Sequence, residues 1–177
     1  MQVDDNAARV LQLLTQLARP ACALEIGTYF GWSAIHIARG LPREGRLTTI
    51  EIDPEYAVLA RENLEAAGVL DRVDVVVAAA VDYLATVPSK SVDMVFIDAD
   101  KALYPQYLKS VYPLLRSGAL LVADDAFVSG NFEPESTGDG SAEIMAINTY
   151  NRSVIRSPNL LSAFVGTNNG LLVSVKR

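Results

Sequence analysis

Asp98, Asp124 and Asp125 are oxygen donors of the kind a hard divalent cation takes, and Lys101 stands three residues after the first of them. Carboxylates with water completing the shell suit Mg²⁺ best, and the chain has no cluster of His and Cys that would make a zinc site. Two further acids, Glu25 and Glu51, each stand at the end of an apolar, β-rich run. Any one of these residues could simply cap the helix that follows it. That bland reading weakens as the set grows, because like charges gathered at one edge repel unless a cation joins them. Lys101 has two open readings: an ion-pair partner for Asp98 or Asp100, or a base whose pKa a nearby metal lowers.

Position matters because of the elements that carry these side chains. Ala21 to Ile26 is a short apolar run, followed by Gly27, Gly31 and a helical pattern through Arg39. Strand, glycine turn, helix lets backbone approach a ligand at the helix N-terminus. The glycines are spaced G-x-x-x-G rather than G-x-G-x-x-G, and Glu25 would repel a pyrophosphate while welcoming a cationic ligand. An acid ending a second strand, as Glu51 does, accepts hydrogen bonds from ribose hydroxyls. NAD and S-adenosylmethionine both carry that ribose. Glu25 and the missing fingerprint favour S-adenosylmethionine, a sulfonium without phosphate.

The rest of the chain supplies the frame. A helix from Asp4 or Asp5 to about Arg19 precedes the first strand. Strands are expected at 47–52, 73–77, 92–97 and 118–123, with helices at 53–67, 80–87 and 104–115 between them. Five rounds of β-α alternation predict a Rossmann-like α/β fold: an open, mostly parallel seven-stranded sheet with helices on both faces. Its last two strands, 160–165 and 171–175, read as an antiparallel hairpin after a helix over 141–156. The stretch 129–140 reads as a loop long enough to be functional.

With 177 residues, half of them hydrophobic, the chain is expected to form a single domain spanning 1–177. A net charge of −6 without a polybasic cluster argues against nucleic acid or a membrane surface as partner. The opening residues lack a signal-peptide pattern and no apolar run reaches spanning length, so a cytoplasmic protein is expected. Cys22, the only cysteine, reads as a small buried residue, and His36, the only histidine, as packing or surface.

The runs LEIGTYFGWSA, TTIEIDPEYA, VDMVFIDADK and LLVADDAFVSG, in this order and spacing, resemble the cation-dependent O-methyltransferases, the group that holds the catechol and caffeoyl-CoA enzymes. The resemblance covers nearly the whole chain. It implies S-adenosylmethionine as cofactor, with Mg²⁺ or in its place Mn²⁺ or Ca²⁺, and a small vicinal-dihydroxy aromatic as acceptor. It implies that Glu51 binds the cofactor ribose and that Val3, Gly27, Tyr29, Ser33, Tyr56 and Ala80 line the cofactor pocket. Glu25 would lie beneath that pocket and Asp98 beside it. Asp98, Asp124 and Asp125 would hold the metal, with Lys101 as general base and Asp98 alongside it in catalysis. A homodimer is also compatible with the resemblance.

Three departures stand out. The family usually has Asp-Asn where this chain has Asp124-Asp125, one charge more negative. Its members usually carry further helical sequence before the point matching Met1, so an open acceptor site is expected here. The late glutamate that meets the substrate in the animal catechol enzyme has no evident counterpart. Two other classes stay open: a non-catalytic S-adenosylmethionine-binding module and an NAD-dependent oxidoreductase.

Overall fold

In the computed structural model, residues 3–127 and 142–177 are described. Asp4 caps the first helix, α1 (Asp5–Ala18), its carboxylate accepting from the backbone N–H of Asn6 and Ala7. Then follow β1 (Cys22–Ile26), α2 (Trp32–Gly40), β2 (Arg46–Glu51), α3 (Pro54–Ala66) and β3 (Val73–Val77). The second half runs α4 (Ala80–Leu84), β4 (Val92–Ile97), α5 (Tyr104–Val111), β5 (Leu115–Ala123), α6 (Ala142–Ile155), β6 (Leu160–Val165) and β7 (Leu171–Lys176). A single 3₁₀ turn, Lys101–Leu103, leads into α5.

The sheet has the seven strands expected, and they lie in the order β3-β2-β1-β4-β5-β7-β6. The first five are parallel, and β7 runs antiparallel to both β5 and β6. Strand order reverses between β1 and β4, so the crevice beyond their carboxyl ends is where this architecture takes ligands. Strand side chains alternate between two cores. Leu24, Ile26, Val95 and Ile97 pack with Tyr104, Val111, Ile147 and Tyr150 on the α5–α6 face. Ala23, Met94, Phe96 and Val122 pack with Leu11, Ala34, Ile37 and Leu64 on the α1–α3 face. Among the described residues, no helix is long and apolar enough to cross a membrane.

Three boundaries differ from expectation by three residues or more. The helix expected over 104–115 ends at Val111, because Pro113 cannot donate the next helical hydrogen bond, and Leu115 already pairs with Val92. Strand β5 therefore begins at Leu115 rather than Gly118. Its register shifts between the pairs Val92–Leu115 and Met94–Leu120, and Gly118 takes φ +83° inside that irregularity. Helix α4 likewise stops at Leu84, short of the expected Val87, in turns that precede Pro88. The expected loop 129–140 lies outside the described residues.

Candidate active site

Beyond the carboxyl ends of β1, β2, β4 and β5 lies a cavity of about 670 Å³, a size suited to a cofactor with a small substrate. The turn after β1 forms one wall. Gly27 takes φ +95°, and a side chain there would collide with the backbone carbonyl of Asp98, so β1 and β4 can converge only with glycine at this point. Tyr29 follows with φ +47°. Its ring lies 3.9 Å from that of Phe30 and 4.8 Å from that of Tyr56, centroid to centroid, giving the cavity an aromatic wall.

Glu51, at the end of β2, clamps this turn. One carboxylate oxygen accepts from the backbone N–H of Thr28 (3.2 Å) and Tyr29 (2.7 Å); the other accepts from Ile52 (2.9 Å) and Asp53 (3.0 Å). Four donors fill the lone pairs that a carboxylate offers. Glu51 lines the cavity as the ribose reading requires. A ribose hydroxyl reaching it must share a lone pair already in use.

Glu25 is completely buried on β1, beneath the turn. The Thr49 hydroxyl donates to its Oε2 at 2.5 Å and lies 2.5 Å from the Thr28 hydroxyl, while Oε1 has no partner. Burial pushes this carboxyl up to about 7. The nearby Ser33 hydroxyl and the Thr49 hydrogen bond oppose the shift, and the charges of Asp98 and Glu51 add to it.

The ends of β4 and β5 bring three carboxylates together. Oxygens of Asp98, Asp124 and Asp125 all lie within 4.8 Å of one another. Asp124 is 4 % exposed, and its Oδ1 is buried without a partner. Burial, reinforced by the charges of Asp98 and Asp125, pushes the Asp124 carboxyl up to about 7. Burial also raises Asp98, although Lys101 pulls the other way. Such a set is short of positive charge, and its all-oxygen chemistry fits a hard divalent cation.

Lys101 supplies part of the missing charge. Its ammonium donates to Asp98 Oδ1 at 2.7 Å and pairs with Asp125 Oδ2 at 2.5 Å. Burial would depress its pKa, yet the two carboxylates raise it. The expected partner Asp98 is therefore found, whereas Asp100 instead caps the 3₁₀ turn by accepting from Ala102 N–H. Asp125, with φ +57°, is the partner that sequence reasoning missed. Tyr104 was also missed. Its hydroxyl lies 3.2 Å from Lys101 Nζ and bonds to the carbonyls of Ile97 and Asp124, tying β4, β5 and the lysine together.

The cavity gathers Gly27, Tyr29, Ser33, Glu51, Tyr56, Ala80, Asp98, Lys101, Asp124 and Asp125 from the sequence-derived set. Glu25 sits under it. Val3 is not among the lining residues; it is buried at 3 % exposure in the α1–α3 core with Ala7 and Leu11. Among the lining residues without a sequence signal are two polar ones distant along the chain, Glu143 in the first turn of α6 and Asn169 in the β6–β7 turn. Asn169 is placed by its carbonyl, which accepts from Phe127 N–H at 2.8 Å.

Known O-methyltransferases share this chain's sequence and fold. The chain is 37 % identical over 146 residues to the catechol O-methyltransferase of Niastella koreensis, covering 81 % of this chain and 66 % of the relative. It is 42 % identical over 134 residues to that of Mycobacterium tuberculosis, covering 76 % and 61 % respectively. The chain thus spans just under two thirds of the length of these relatives. The crystal structure of an O-methyltransferase from Bacillus cereus in complex with SAH superposes with a TM-score of 0.91 at 30 % identity, covering 99 % of this chain and 83 % of the other. Residues 1–177 match the model of the O-methyltransferase family throughout, and the chain belongs to that family.

Proposed function

We propose that this chain transfers a methyl group from S-adenosylmethionine to one hydroxyl of a vicinal-dihydroxy aromatic, with a divalent cation bound at the acceptor. One observation carries the reading: a single cavity holds both the Gly27–Tyr29 turn with Glu51 and the group Asp98, Asp124, Asp125 and Lys101. The names of the two catechol O-methyltransferase relatives and the SAH complex of the Bacillus cereus protein support it.

Asp98, Asp124 and Asp125 would hold the cation, Mg²⁺ or a similar hard ion, which when bound draws in two adjacent oxygens and acidifies the attacking hydroxyl. The turn and Glu51 orient the cofactor, and the aromatic wall of Tyr29 and Tyr56 offers ring faces to a cationic ligand. Lys101 Nζ is the proton acceptor. Held between Asp98 and Asp125 it keeps its proton, so it acts as base only when those carboxylates are engaged elsewhere. In the transfer, the acceptor oxygen bonds to the methyl carbon as the carbon–sulfur bond breaks and its electron pair returns to sulfur. Opposite charges cancel along this path, so a site that aligns the partners and excludes water accelerates it.

The test is methyl transfer from S-adenosylmethionine to a panel of catechols with Mg²⁺ present. Methylated product from catechols, and none from monohydroxy analogues, is the expected result. Cofactor binding without product on any acceptor would leave a binding module instead.

A further inference from the structure

Given the proposed reaction, on which this inference rests, we infer that the acceptor is a catechol whose side chain is cationic or neutral, with Glu143 reading its charge. Glu51, Asp98, Asp100, Asp124, Asp125 and Glu143 all line the cavity. Against these six carboxylates stands one cation, Lys101, among the described lining residues. A divalent ion and a cofactor of net charge +1 offset only part of that excess, so a second anion entering the cavity meets a negative field.

The carboxylates divide by position and by partner. Glu51 is occupied by four backbone N–H groups on the cofactor side. Asp100 caps a turn, while Asp98 and Asp125 hold Lys101. Asp124 is buried, with Oδ1 unpartnered. Glu143 is exposed and has no partner among the described residues. It stands in the first turn of α6, which packs on the Lys101–Leu103 turn, and so borders the end of the cavity where the acceptor hydroxyls would lie. The segment 128–141, whichever way it runs, contains no lysine, arginine or histidine to reverse the balance. The free carboxylate at the acceptor end suits an ammonium on the side chain of the acceptor and rejects a carboxylate there.

Equilibrium binding tests this without requiring turnover. The protein, with Mg²⁺ and S-adenosylhomocysteine present, is titrated with three matched catechols bearing an ethyl side chain, its terminal amine and its terminal carboxylate. The expected order is amine, then ethyl, then carboxylate, with amine over carboxylate on the order of tenfold at low salt. That ratio should shrink as ionic strength rises, since the Debye length falls. Glu143→Gln should lower it severalfold, and Glu143→Lys further still. Equal or reversed preference, a ratio that Glu143→Gln leaves unchanged, or no binding of any of the three would overturn the inference. Methyl transfer measured in parallel separates the two claims. The expected binding order without product overturns the proposed reaction alone, and product without that order overturns the charge preference alone.

Discussion

Glu25 should make the cofactor-free protein less stable as the medium becomes more alkaline, and Glu25→Gln should remove that loss. The carboxyl is fully buried, one of its oxygens has no partner, and its pKa rises from 4.5 to about 7 on folding. Between those values the folded chain keeps a proton that the unfolded chain has released. Stability is therefore whole below about pH 4.5, falls as pH rises, and reaches its full deficit above pH 7. At about 1.4 kcal/mol per pKa unit the deficit is roughly 3 kcal/mol. In a chain of this length that corresponds to roughly 6–12 °C in Tm. Glutamine can still accept from Thr49, and its amide nitrogen replaces an oxygen that already lacked a partner. Any cost of that exchange is independent of pH. The assay is thermal unfolding of both proteins from pH 4.5 to pH 8, without cofactor or cation, read as the difference in Tm between them. Other titrating groups, Asp124 among them, are common to both proteins and largely cancel. The variant should gain on the wild type as pH rises. Parallel curves would mean that Glu25 is ionised throughout and that burial does not govern its charge.

Glu51→Ala should weaken S-adenosylmethionine binding by roughly 1–3 kcal/mol in calorimetry. It should also lower the Tm of the free protein, because four backbone N–H groups lose their acceptor; a Tm unchanged in the free protein would refute the clamp. Methyl transfer should vanish in excess chelator and return with Mg²⁺ or Mn²⁺, and full turnover by a protein shown free of metal would discard the cation. Asp125→Asn should weaken Mn²⁺ binding, followed by titration of the ion's paramagnetic signal, by roughly tenfold. It should leave methyl transfer intact at saturating metal, and wild-type values for both would take Asp125 off the ligand set.

What could be read from the sequence was whatever depends on neighbours along the chain. The acids at the strand ends, the Gly27 turn and the Asp53-Pro54 helix start all have local causes: alternation, glycine, capping. The apolar spacing predicts a longer α5 because it continues through Leu114 and Leu115, although Pro113 and the pairing of Leu115 with Val92 end it. Partnerships across the sheet were hidden. The grip of Asp125 on Lys101 depends on the register that sets Ala123 of β5 opposite Ile97 of β4, and Glu143 reaches the cavity only because α6 packs on the turn before α5. The resemblance implies Val3 in the pocket, yet it packs into the α1–α3 core.

The strand order also has a consequence for how the chain is made. β7 is later in the sequence than β6 but lies between it and the rest of the sheet. During synthesis β6 has nothing to pair with until β7 emerges, and the outer edge of β5, with Leu120 and Val122, stays open until then. An exposed apolar edge invites pairing with other chains. A nascent chain halted after β6 would thus present one unpaired strand and the open edge of β5, and a single further strand pairs with both.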